Sequence, residues 1–147
     1  MVRISKALLC ATLLAALGTA VCSAAPVGGM VAIEATLNAG SEVPPNTSAG
    51  QGTLEASFNK ETNVLSYTLT YSGMSGPVKA GHFHGPAAAG SNAGVALPLV
   101  DGMDSPIKGT ALLTPTQSSD LLAGKWYVNL HTAAHAGGEI RGQVMAK

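Results

Sequence analysis

Met30-Val31-Ala32-Ile33-Glu34-Ala35-Thr36-Leu37-Asn38 is the stretch on which the fold turns. Val31, Ile33, Ala35 and Leu37 fall on one parity, with Glu34, Thr36 and Asn38 on the other. Side chains along a strand alternate between the two faces of its sheet, so this alternation predicts a strand with one face buried and the other wet. Beyond it, Gly40 to Gly52 carries Pro44-Pro45 and several glycine turns and is expected as an irregular loop or edge segment. Thr53 to Phe58 and Val64 to Tyr71 read as two strands of a hairpin, joined by the polar Asn59-Lys60-Glu61-Thr62-Asn63. Further strands are expected at Lys79–His84, Val95–Val100, Ile107–Leu113, Lys125–His131 and Glu139–Met145. About eight short strands at this spacing predict an all-β, antiparallel Greek-key sandwich or barrel. One short helix interrupts them: Thr114 can N-cap, Pro115 takes the first helical position, Gln117 completes a capping box and Gly124 ends it.

Upstream of this domain, Arg3 and Lys6 precede an uncharged apolar run from Ala7 to Leu17 and then Gly18-Thr19-Ala20-Val21-Cys22-Ser23-Ala24-Ala25. That order is the pattern of a secretory signal peptide, cleaved after Ser23 or Ala24. The run is short of the ~20 apolar residues that span a bilayer. Lipid attachment at Cys22 is disfavoured by Val21 in front of it. Residues 1–24 are therefore expected as a signal peptide and 25–147 as one domain, secreted or periplasmic and without a membrane contact after cleavage. Both cysteines, Cys10 and Cys22, leave with the signal, so the mature chain has neither disulfide nor thiolate ligand. Arg3 and Lys6 leave too, and six basic residues then face eight acidic ones, a net charge of −2 with histidine neutral. Nucleic acid and anionic lipid favour basic stripes, and none is present.

The four histidines come as two pairs. His82 and His84, two apart on a strand, project from one face while Phe83 turns the other way. On the later strand Trp126, Val128 and Leu130 form the apolar side, which puts His131 on the polar side with Tyr127 and Asn129; His135 follows four residues on. If the two strands meet, the imidazoles converge without a thiolate or a dedicated carboxylate. Such a set suits copper best and zinc second, because copper binds nitrogen donors most tightly among the first-row divalent metals. The alternative is that these histidines cap turns and bond to one another. Nucleophilic catalysis lacks its parts: there is no Gly-x-Ser-x-Gly elbow and no cysteine in the domain. Gly90-Ser91-Asn92-Ala93-Gly94 lacks the ending of a phosphate loop and reads as a turn. Asn46-Thr47-Ser48 matches a glycosylation acceptor, meaningful only in a eukaryotic secretory pathway.

Ala80-Gly81-His82-Phe83-His84-Gly85-Pro86-Ala87, Leu122 to Thr132 and Gly137-Gly138-Glu139-Ile140-Arg141-Gly142-Gln143, with Ser41-Glu42-Val43-Pro44-Pro45 upstream, together resemble the CHRD (chordin-type) domain. The resemblance implies an extracellular or periplasmic β domain, and chordin's antagonism of growth factors implies a secreted protein partner. Where that family usually has Asn-Pro before its Gly-Gly-Glu-Ile-Arg-Gly, this chain has His135-Ala136, which opens an additional ligand particular to it. The order His-x-His, then Gly-x-x-x-Val-x-x-His, then a glycine-rich turn leading to an arginine, is more distantly similar to the copper half of Cu/Zn superoxide dismutases. By that likeness His82, His84 and His131 match copper ligands, and Arg141 matches the arginine that attracts superoxide. The bridging histidine and zinc loop have no counterpart between Gly85 and Leu99.

Two functions follow as expectations. One is a metal-binding domain with His82, His84, His131 and His135 as ligands, where Arg141 would be catalytic only if the metal is redox-active. The other is a non-enzymatic interaction module, in which the histidines are structural and Arg141 pairs with Glu139 or another acid. Arg141 separates them: buried in an ion pair it serves structure, aimed at the histidines it serves chemistry.

Overall fold

The computed structural model describes residues 28–147. The expected signal peptide, with Cys10 and Cys22, lies outside them. In chain order the elements are β1 (Met30–Asn38), a 3-10 turn (Ala39–Ser41), β2 (Gln51–Asn59), β3 (Val64–Ser72), β4 (Val78–His84), β5 (Val95–Pro98), β6 (Ile107–Leu112), α1 (Pro115–Leu122), β7 (Tyr127–Thr132), β8 (Ile140–Gln143) and β9 (Met145–Ala146). The strands form one antiparallel sheet in the order β5-β4-β7-β8-β1-β2-β3-β6, with β9 added to β1. The sheet curls on itself. Four strands separate β4 from β3 in that order, yet Phe83 of β4 and Tyr67 of β3 meet edge to face at 5.4 Å between ring centres.

The alternation that opens the domain behaves as expected: Ile33, Ala35 and Leu37 are buried, with exposed residues between them. The hairpin also forms in the expected register, Asn59 opposite Val64. Phe83 and Trp126 lie 5.8 Å apart at the centre of the core. Strand limits depart from the sequence reading: β2 runs Gln51–Asn59 and β7 Tyr127–Thr132, and two further departures have a visible cause. β5 ends at Pro98, which has no N–H to give a ladder. The single strand expected at Glu139–Met145 breaks at Val144, whose N–H turns to the Trp126 carbonyl at 2.9 Å, so that β9 can pair with β1.

α1 starts with the capping box the sequence calls for: Gln117 N donates to Thr114 Oγ1 at 3.2 Å, and Thr114 N donates to Gln117 Oε1 at 2.9 Å. The same Gln117 donates its Nε2 to the Ala96 carbonyl at 2.9 Å, fastening the helix to β5. Gly124 ends it at φ +67, a left-handed conformation that glycine takes without steric cost.

Candidate metal centre

β4 and β7 are neighbours, and their register decides the site: His82 lies opposite Asn129, His84 opposite Tyr127 and Ala80 opposite His131. The next strand, β8, sets Arg141 opposite Asn129 and Gln143 opposite Tyr127. One face of these three strands thus carries His82, His84, His131, Asn129, Tyr127 and Arg141. Phe83, Val128 and Leu130 fill the core from the other face.

His82, His84 and His131 come together, each offering one ring nitrogen within 4.8 Å of the others. His82 Nδ1 and His131 Nε2 are 3.2 Å apart. Two of the rings are held from behind. His84 Nδ1 lies 3.0 Å from the Ala93 carbonyl and His131 Nδ1 3.0 Å from the Ala136 carbonyl. A carbonyl only accepts, so each Nδ1 must carry the hydrogen, and each Nε2 of a neutral ring is a bare lone pair. Both Nε2 atoms also meet Asn129 Oδ1, at 3.1 Å from His84 and 3.0 Å from His131. Burial, and then the charges that His131 and His84 would carry, push His82 below the ordinary histidine range. The three ring nitrogens, facing one another across two strands, form a group that could hold a metal ion.

His135 does not join this cluster. Its N–H donates to the Thr132 carbonyl at 3.2 Å in the turn after β7, and its side chain borders a groove with Pro44 and Pro45. Arg141 is also apart from the histidines. It is 1% exposed, donates Nη1 to Asn92 Oδ1 at 3.0 Å and Nη2 to the Ser91 carbonyl, and lies over the Tyr127 ring at 3.4 Å. Tyr127 stacks on His84 in turn, 4.8 Å away and within 4° of parallel. Because β7 runs between β4 and β8, the tyrosine separates arginine from histidine.

The pairing of Arg141 with Glu139 does not form. Glu139, fully buried, takes instead hydrogen bonds from Ser48 Oγ at 2.6 Å, Ser75 N at 2.7 Å, Ser75 Oγ at 2.7 Å and Thr132 Oγ1. Burial acts to raise its pKa, but these donors outweigh burial and hold it at about 2. The acid nearer Arg141 is Glu42, 5% exposed. Burial pushes it up, against the opposing pull of the Val43 backbone, Arg141, Asn129 and His84.

Asn129, Tyr127, Glu42 and the turn at Ser91–Ala93 have no site role in the sequence reading. For Asn129 and Tyr127 the signal was present, since both share the parity of His131. For Glu42 and the turn it was absent, because only the closing of two loops over β7 and β8 brings them in; Asn92 Nδ2 donates to the Val43 carbonyl at 3.2 Å where those loops meet. Among the described residues no helix is long and apolar enough to cross a membrane. The family model of the CHRD domain matches residues 33–144. No curated protein and no solved structure matches the chain.

Proposed function

The chain belongs to the CHRD-domain family, and from that premise we propose that it is an exported protein that binds a metal ion, copper in preference to zinc, through His82, His84 and His131. The observation that carries this reading is the convergence of three imidazole nitrogens, two of them with their other nitrogen committed to a backbone carbonyl. Locking one ring nitrogen with an outer carbonyl is how proteins fix the tautomer of a ligating histidine. Four donors around a metal at ~2.0–2.1 Å stand about 3.3 Å apart. The 3.2 Å between His82 Nδ1 and His131 Nε2 is already that spacing. All-nitrogen donors favour copper over zinc.

Binding, rather than dismutation of superoxide, is the activity proposed. Arg141 is buried with Tyr127 between it and the cluster, so it is a positioning residue that presses the tyrosine against His84. Export rests on the charged, apolar and small-residue order of residues 1–25. N-terminal sequencing of the protein recovered outside the cytoplasm should begin at Ala24 or Ala25; an intact Met1 would contradict it.

The second reading, structural histidines in an interaction module, draws on the same two carbonyl contacts. Competition titration of tag-free protein against a chelator separates the two. Metal binding predicts one tight equivalent of Cu(II), a weaker one of Zn(II), and loss of both in His82→Ala and His131→Ala. Equal uptake by the wild type and the variants would leave the structural reading.

A further inference from the structure

We infer that the Asn129 side-chain oxygen is the fourth donor of this site and that Glu42 is the positioning residue that keeps it turned toward the imidazoles. The inference rests on the metal-binding reading and makes the site a closed one. Asn129 is 3% exposed, so water does not solvate its amide. Its Oδ1 sits 3.1 Å from His84 Nε2 and 3.0 Å from His131 Nε2. With both Nδ1 atoms turned to the Ala93 and Ala136 carbonyls, the two Nε2 atoms and the oxygen are directed at one another.

Turning the amide over would present Nδ2 to the histidines in place of the oxygen. The other side of the side chain opposes the turn. Asn129 Nδ2 and the Glu42 carboxylate flank the same point above Gly138, so a turned amide would set its oxygen against the acid. Glu42 Oε1 is buried without a hydrogen-bond partner of its own, and Asn129 is among the groups that pull against the rise of this acid. The oxygen therefore stays toward the histidines. Its distances to two of their nitrogens, 3.1 and 3.0 Å, lie a little inside the ~3.3 Å spacing of donors around a small cation.

A fourth protein donor has a functional consequence. Metal centres that hold or stabilise are closed by protein ligands, whereas catalytic ones keep a position for water or substrate. This centre belongs to the first kind.

Electron paramagnetic resonance of the Cu(II)-loaded protein in water enriched in ¹⁷O tests the assignment. Wild type should show no broadening from a coordinated equatorial water. Asn129→Leu, of similar volume and without a donor, should gain that broadening and lose affinity about 10-fold or more, and Glu42→Leu should lose less, in the range of supporting residues. Broadening in the wild type, or equal copper affinity in wild type and Asn129→Leu, would overturn the assignment and leave the three-histidine site standing. If Asn129→Leu does not fold, the wild-type spectrum decides alone. Absence of copper binding by the wild type would instead remove the reading on which the inference rests.

Discussion

Single residues in this domain divide between those that face the histidines and those that hold loops, and Glu139 is the clearest of the second group. Its carboxylate collects donors from Ser48 after β1, Ser75 before β4 and Thr132 at the end of β7, and its own backbone carbonyl accepts from Asn46 Nδ2 at 3.0 Å. Its pKa is depressed from 4.5 to about 2, so the ionised form stabilises the fold above pH 4.5, and that contribution is lost as pH falls from there through about 2. The full shift corresponds to about 3 kcal/mol. Unfolding of metal-free protein at a series of pH values should show this loss, and Glu139→Gln should lower stability at pH 7 and flatten the curve between pH 4.5 and 2; a variant with the wild-type curve would refute the assignment. The sequence reading offers Glu139 only as a partner for Arg141. Its partners lie 64 and 91 positions away at Ser75 and Ser48, a separation that no local pattern reports.

Elements were more legible, because hydrophobic alternation and capping chemistry act over a few residues. The alternation of Val31 to Leu37, the Asn59–Val64 hairpin and the Thr114–Gln117 box all lie within one such window, and each forms as read. Strand order does not lie within one, and it is the order β4-β7-β8 that makes a site of two distant histidine groups. Thr114→Ala should cost about 1 kcal/mol, seen as a lower denaturant midpoint at unchanged slope, without altering metal affinity. Gly138 belongs to the site's support. It holds φ +130, and a Cβ there would lie 2.9 Å from Asn129 Nδ2 and against the Glu42 carboxylate. Gly138→Ala should therefore weaken copper binding as well as lower the midpoint; a loss of stability with full affinity would show that the turn does not position Asn129.

The whole molecule is a curled sheet whose core is assembled from the inward parity of its strands, while the outward parity of β4, β7 and β8 is covered by two loops and so becomes a half-buried polar layer. In that layer Arg141, Tyr127 and His84 stack in sequence, and the histidine nitrogens converge beside them. Because the three histidines, from two strands, meet only in the folded chain, a metal bound as proposed should stabilise it globally: at 100 times the dissociation constant, unfolding should cost about 2.7 kcal/mol more, an increment expected to vanish in His82→Ala and to persist in His135→Ala. Location of the metal tests the central claim most directly. An anomalous difference map at the copper edge, from crystals of the copper-loaded protein, should place one peak among His82 Nδ1, His84 Nε2, His131 Nε2 and Asn129 Oδ1; a peak at His135 or elsewhere on the surface, with none among these atoms, would contradict it.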